Sequence, residues 1–167
     1  MMAFSVDLHF KWISKQSNFY VPCMGWFMFH AGYIPLKRGN KESVVRCMQR
    51  ALEYLDMGVS VLFFPEGTRS HDGTIQAFKA GAFKLAIDAG VDILPMAITG
   101  TYDSIPKNTW KFNDWTSHLR LLIGNPISVK GYSDENLEEL IAKTRNTVIA
   151  LRNELDAGQA QPLRAAG

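Results

Sequence analysis

Residues 59–70 of the chain read VSVLFFPEGTRS, and this stretch decides the fold class. Its first half, Val59 to Phe64, is short, β-branched and aromatic, which predicts a buried strand. Pro65 cannot donate a hydrogen bond to a sheet and therefore ends the strand. We call the residues that follow, 66–70, the polar loop. In open α/β sheets ligands bind at the carboxyl edge of the strands, so the polar loop is predicted to face a crevice.

Strands and helices alternate along the rest of the chain. The patterns predict strands at residues 10–14, 33–36, 59–64, 93–98 and 119–123, and helices at 22–31, 40–57, 78–89 and from Ser133 onwards. Asn40 is predicted to cap the second helix, and Gly90 is predicted to end the third. This order predicts an α/β fold: a single domain, residues 1–156, with a mostly parallel sheet flanked by helices. Residues 157–167 are predicted to form a disordered tail.

Composition narrows the function classes. The chain has 167 residues, of which 47% are hydrophobic and 20% charged, enough for the core of one domain. Its net charge of +2 suits anionic small molecules or an anionic membrane surface, and it predicts no nucleic-acid partner. Cys23 and Cys47 lack the spacing of metal ligands, so we interpret both as reduced core thiols in a protein that faces the cytosol.

A run without charged residues extends from Gln16 to Leu36. Pro22, Gly25 and Gly32 interrupt it, so its longest helix spans about ten residues, half of the roughly 20 that a membrane span needs. One interpretation is a buried helix that lines the core. The other is an exposed apolar face that contacts a membrane or an acyl chain. The sequence leaves both open.

Four blocks together carry a resemblance to a known family. They are GYIPLKR at 32–38, FPEGTRS at 64–70, FKAG at 78–81 and ILPMA at 93–97. From about residue 10 to 126 the chain resembles the glycerophospholipid acyltransferases, most closely the lysophosphatidate acyltransferases. The resemblance implies a glycerophosphate acyltransferase-like fold. It also implies transfer of a fatty acyl group from acyl-CoA or acyl carrier protein to 1-acylglycerol 3-phosphate, giving phosphatidate, at the cytosolic face of a membrane. No metal or prosthetic group is implied.

The resemblance also assigns residues to the acceptor phosphate. By position they are Arg38 and, in the polar loop, Glu66, Gly67, Thr68 and Arg69. A guanidinium suits this role because its planar fork grips phosphate with two hydrogen bonds. If the strands before Arg38 and before the polar loop are parallel neighbours, both cations converge on one crevice.

The remaining candidates have weaker assignments. We interpret Glu66 as orienting Arg69 rather than as an acid or base, and Gly67 as a backbone requirement. Thr68 either donates to the phosphate or caps the next turn. Lys79 is a candidate auxiliary cation, and the resemblance associates Pro95 with the acyl donor.

The family's catalytic motif, N-H-x4-D, is absent from this sequence, so no catalytic residue is identified. The residues five positions after the four histidines are Ser14, Pro35, Gln76 and Ile123. His71 is disfavoured as a substitute base because its surroundings predict an exposed turn. We expect that an amino-terminal piece carrying the motif is missing; a relative without a base is the alternative.

These 167 residues are therefore expected to show little or no turnover, since a positioned base contributes about 10²- to 10⁴-fold. Two other functions stay open: a non-catalytic module that binds phosphorylated lipid, and an acyltransferase acting on another lysophospholipid or glycerol 3-phosphate.

Overall fold

The computed structural model describes residues 9–68, 70, 74–100 and 119–159, without the side chains of residues 158 and 159. The chain divides into two compact units, with the boundary between Pro65 and Glu66. The first unit carries a three-stranded sheet, and the second carries a two-stranded sheet. Each unit has buried residues of its own.

The sheet of the first unit is parallel throughout. Its strands are β1 (Phe10–Lys15), β2 (Ile34–Leu36) and β3 (Ser60–Leu62), with β1 in the middle. Ile13 lies opposite Ile34, and Lys11 lies opposite Val61. Parallel neighbours need a crossover, and the helical segments between the strands supply it. The predicted α/β class, with parallel strands and flanking helices, is confirmed.

Strand β3 is shorter and more exposed than its sequence predicts. It ends at Leu62, and its residues are exposed or half-buried. Phe64, placed in the sequence-predicted strand, lies beyond β3, is 55% exposed and contacts the ring of Trp12 at a centroid distance of 5.7 Å. Among the described strands β3 pairs with β1 alone, so one of its edges has no strand against it. The prediction of a buried strand through Phe64 is therefore wrong.

A 3₁₀ turn (Gln16–Tyr20) and the short helix α1 (Met24–His30) follow β1. Only Gly25 and Met28 of α1 are buried. A Cβ atom at Gly25 would lie 2.0 Å from the carbonyl oxygen of Phe19, so the two backbone segments meet only because this residue has no side chain. One narrow face of α1 is thus fixed against the 3₁₀ turn, while most of its side chains are exposed.

Helix α2 (Lys41–Asp56) packs against β2 and β3. The predicted cap is confirmed: the side chain of Asn40 accepts a hydrogen bond of 2.8 Å from the backbone N–H of Ser43. The buried face of the helix carries Cys47, Ala51 and Tyr54. The Tyr54 hydroxyl donates to the carbonyl oxygen of Gly32 at 2.9 Å and so ties α2 to the chain that leaves α1.

The two cysteines differ in their surroundings. Cys47 is 1% exposed, and burial raises the pKa of its thiol to about 11. Cys23 is exposed in the turn that leads into α1, so the prediction of two core thiols is wrong for Cys23. The reason is that the apolar segment around it faces outward rather than into a core.

The second unit contains α3 (Gly81–Ala89), the antiparallel strands β4 (Met96–Thr99) and β5 (Arg120–Ile123), and α4 (Leu137–Gln159). Helix α4 packs against both strands and against α3. Gly90 ends α3 in a left-handed conformation, with φ of 63°, as predicted. The core residues of this unit are Phe83, Ala86, Ile127, Val129, Leu137, Leu140 and Ile141.

Several element boundaries differ from the sequence-based predictions, and helix α3 begins at Gly81 rather than at Phe78. Strand β4 begins at Met96 rather than at Ile93, because Pro95 has no N–H to donate. Helix α4 begins at Leu137, and the carbonyl of Asn136, not Ser133, starts its hydrogen bonds. At its other end α4 includes residues 157–159 of the predicted tail, supported by an ion pair one turn earlier between Arg152 and Asp156. Residues 160–167 lie outside the described residues.

Candidate functional site

The polar loop opens the second unit. Glu66 is half-buried and Thr68 is exposed. Gly67 adopts a φ of +69°, a left-handed backbone conformation that residues with a side chain rarely adopt. The predicted backbone requirement at Gly67 thus agrees with its conformation. Arg69 lies outside the described residues, as does His71.

Lys79 lies against Gly67. The Nζ and Cε atoms of Lys79 are each 2.9 Å from the position that a Cβ atom of Gly67 would occupy. Any side chain at residue 67 would therefore displace the ammonium group from the loop. No ion pair joins Lys79 to another residue in the described part of the chain. Its ammonium lies beside the polar loop, where a positive charge attracts anions.

Glu66 holds the loop to a later part of the chain. Its carboxylate accepts a hydrogen bond of 2.8 Å from the backbone N–H of Gln76. The Gln76 side chain in turn donates to the hydroxyl of Thr74 at 2.9 Å. The predicted contact between Glu66 and Arg69 lies outside the described residues. In the described part of the loop, the Glu66 carboxylate binds a backbone N–H group.

The segment 74–79 is also held from α4, which the sequence did not predict. The guanidinium of Arg145 donates from Nη2 to the carbonyl of Ile75 at 2.7 Å and from Nε to the carbonyl of Gln76 at 3.0 Å. These residues are about 70 positions apart in sequence, so no local pattern indicates the contact. The sequence shows only a cationic residue on a predicted helix. In the structure, Leu140, Ile141 and Thr144 beside it are buried.

Arg38 follows β2 at the carboxyl edge of the parallel sheet and is exposed. The sequence allowed β2 and β3 to be neighbours, but β1 lies between them. Arg38 belongs to the first unit, and the polar loop belongs to the second. The convergence of Arg38 with the loop on one phosphate therefore stays a prediction.

Pro95 is buried in the second unit. Its carbonyl accepts a hydrogen bond of 2.9 Å from the N–H of Gly124, and its ring lies 3.2 Å from where a Cβ of Gly124 would be. These contacts give Pro95 a packing role next to β4. Its assignment to the acyl donor stays a prediction.

Two histidines lie in the described part of the chain. His9 is exposed, and His30 is an exposed residue whose ring contacts Trp26 and Phe29 edge-on. Among the described residues, no cluster of three or more His, Cys, Asp or Glu is placed to hold a metal ion. The described part of the polar loop thus combines a left-handed glycine with a lysine ammonium beside it.

The first unit carries an exposed aromatic surface on the 3₁₀ turn and α1. Tyr20, Trp26 and Phe29 are each 73–75% exposed, and Phe27 is 62% exposed. We call these four residues the aromatic surface. Tyr20, Trp26 and Phe29 also line a depression of about 390 Å³, together with residues 19, 21–23 and 25. The sequence left two interpretations of residues 16–36 open. The interpretation as a buried helix that lines the core is wrong, because most side chains of α1 are exposed. In the described part of the chain, no helix combines the length and apolar character that crossing a membrane requires.

A sequence model of the family described as Acyltransferase matches residues 1–99, more than half of the chain. The chain belongs to the Acyltransferase family. This confirms the family resemblance of the four sequence blocks.

Two relatives of this acyltransferase chain carry the more specific name 1-acyl-sn-glycerol-3-phosphate acyltransferase. The chloroplastic 1-acyl-sn-glycerol-3-phosphate acyltransferase of Arabidopsis thaliana is 42% identical over 123 residues, which are 74% of this chain and 34% of that protein. The 1-acyl-sn-glycerol-3-phosphate acyltransferase of Haemophilus influenzae is 32% identical over 86% of this chain and 59% of that protein.

A solved structure agrees with the fold of this acyltransferase chain. The crystal structure of the 1-acyl-sn-glycerophosphate acyltransferase from Thermotoga maritima matches with a TM-score of 0.71 and 30% identity. The match covers 92% of this chain and 58% of that one. The chain thus spans between about a third and three fifths of the length of these relatives.

Proposed function

We propose that this chain is part of an acyltransferase that converts 1-acylglycerol 3-phosphate to phosphatidate, with acyl-CoA or acyl carrier protein as donor. The free hydroxyl of the acceptor attacks the thioester carbonyl, an ester bond forms, the carbon–sulfur bond breaks, and the thiol takes up the proton. The names of the relatives support this reaction class.

The observation that carries the proposal is the ammonium of Lys79 against Gly67 of the polar loop. The glycine lets the lysine side chain approach the loop closely, and the cation supplies charge for a phosphate. Arg69, two residues after Gly67, is proposed as the main phosphate ligand because its planar guanidinium can form two hydrogen bonds to a phosphate. Thr68 is exposed and is proposed to donate its hydroxyl to the same group.

The binding of a phosphorylated acceptor tests this proposal. We expect the chain to bind short-chain 1-acylglycerol 3-phosphate more tightly than the same lipid without its phosphate, as measured by titration calorimetry. Lys79→Gln should weaken only the binding of the phosphorylated lipid, by about fivefold, because an exposed ion pair contributes about 1 kcal/mol. Arg69→Ala should weaken it further, because a bidentate pair is stronger.

Lys130→Gln is the matched control, since Lys130 is an exposed lysine of the same unit in a turn before α4. Equal affinity for the two lipids would contradict the proposal. Thiol release from acyl-CoA in the presence of the acceptor then separates an enzyme from a binding module. It is measured on a form of the protein that carries the family's N-H-x4-D motif, because these 167 residues alone are expected to show little turnover. In an enzyme, Arg69→Ala should abolish acceptor-dependent turnover. In a binding module, the same substitution should lower only the affinity for the phosphorylated lipid.

We further propose that the aromatic surface contacts a membrane, on the cytosolic face. Its Trp, Tyr and Phe side chains are the types that sit at a lipid–water interface. Lysine and arginine outnumber aspartate and glutamate in residues 9–65, which favours an anionic bilayer. Both the acceptor and the product of the proposed reaction are lipids, which also favours attachment of the protein to a bilayer.

Removal of two aromatic rings should weaken this contact. We expect the double variant Trp26→Ala/Phe29→Ala to bind vesicles of phosphatidylcholine and phosphatidylglycerol at least about tenfold more weakly in a sedimentation assay, since each ring loses apolar burial. Met57→Ala is the control, because Met57 is a 61% exposed apolar residue at the end of α2, outside the aromatic surface. Unchanged vesicle binding of the double variant would rule out this surface.

A further inference from the structure

Arg145 is fixed in the middle of α4 by the core of the second unit. Its neighbour Thr144 is 4% exposed and donates its hydroxyl to the carbonyl of Leu140 at 2.8 Å. Leu140 itself is fully buried. The helical turn that carries Arg145 therefore has little freedom to move, so the guanidinium is presented from a rigid base.

From this rigid helix Arg145 holds the backbone of an irregular segment, residues 74–79. Gln76 is held on both sides: its carbonyl accepts from Arg145, and its N–H donates to Glu66. The carbonyl of Ile75 accepts the second guanidinium hydrogen bond. Two successive carbonyls need two donors at a fixed separation. A guanidinium provides them, whereas the ammonium of a lysine is a point donor.

This segment is connected to the polar loop at two points. The first is the hydrogen bond between Gln76 and the carboxylate of Glu66. The second is Lys79, three residues after Gln76, whose ammonium lies against Gly67. A shift of residues 75 and 76 would consequently displace both the loop and its cation.

We propose that Arg145 is a positioning residue for the polar loop: through the carbonyls of Ile75 and Gln76 it holds Glu66 and Lys79 where they shape the phosphate site. This inference rests on the proposed function, because it assigns to Arg145 the geometry of that same acceptor site. Arg145 touches no substrate in this scheme and acts only through the backbone.

Two measurements on Arg145→Gln test the proposal. In the ligand-free protein, amide hydrogen exchange in residues 74–79 should quicken by about tenfold, while exchange in α3 stays unchanged. The affinity for 1-acylglycerol 3-phosphate should fall by about tenfold, with little change for the lipid without phosphate. Arg145→Lys keeps the charge but loses the fork, so it should show a smaller change in both measurements.

Lys143→Gln is the matched control, because it removes one positive charge from an exposed position of the same helix. Unchanged exchange in Arg145→Gln would overturn the proposal, as would equal losses for both lipids. If the unsubstituted chain shows no preference for the phosphorylated lipid, the proposed function fails. The exchange measurement still decides whether Arg145 holds the segment. If Arg145→Gln does not fold, Arg145→Lys carries both measurements.

Discussion

Gly25→Ala is expected to destabilise the chain by about 3 kcal/mol, although alanine is the better helix former. At an ordinary helical position this substitution gains about 0.5–1 kcal/mol, because glycine loses more backbone entropy on folding. Here the new methyl group would lie 2.0 Å from the carbonyl oxygen of Phe19 and 2.4 Å from its carbonyl carbon. Backbone atoms cannot rotate away as a side chain can, so α1 and the 3₁₀ turn must separate.

Urea denaturation measures this loss as a lower transition midpoint. Gly39→Ala is the comparison in the same unit: Gly39 has a φ of +77°, and apart from its chain neighbours no described residue has an atom within 4 Å of the Cβ position. That variant should lose only about 1 kcal/mol, from backbone strain alone. A Gly25→Ala protein as stable as Gly39→Ala would show that the close approach of the two segments is unimportant.

The second large effect is expected at Leu140. This residue of α4 is 0% exposed and belongs to the core of the second unit. Leu140→Ala removes buried methyl groups and leaves a cavity in a closely packed region, with an expected cost of about 4 kcal/mol. That is a large fraction of the total stability of about 5–15 kcal/mol of a typical domain.

Thermal unfolding monitored by circular dichroism measures the effect of Leu140→Ala. Ile98→Ala is the control, because Ile98 lies in β4 of the same unit and is 44% exposed. Its loss should stay near 1 kcal/mol, since its side chain already contacts water in the native state. Similar losses for the two variants would contradict the assignment of Leu140 to the centre of the core.

Local signals in the sequence predicted much of the fold. Asn40 and Gly90 mark helix ends through their own backbone and side-chain chemistry, and both lie where predicted. The change from apolar to polar residues after Phe64 also marked where the irregular polar loop begins, although β3 already ends at Leu62, before Pro65. Signals of this kind depend on a few neighbouring residues and can be seen in a single sequence.

Features that depend on distant residues were not predicted. Strand β3 ends at Leu62 and has β1 as its one partner among the described strands, and Phe64 beyond it is exposed. The outward direction of α1 follows from the contact of Gly25 with Phe19. The hold of Arg145 on Gln76 joins residues 69 positions apart. None of these contacts leaves a periodic pattern in the sequence.

The narrow buried face of α1 has an evolutionary consequence. Packing constrains Gly25 and Met28, whereas Trp26, Phe27 and Phe29 contribute little to the folded interior. Selection for stability alone would let these three positions drift towards polar residues over many generations, since large exposed rings add nothing to the core. Aromatic residues that persist there among descendants of a common ancestor would therefore record selection for contact with another surface.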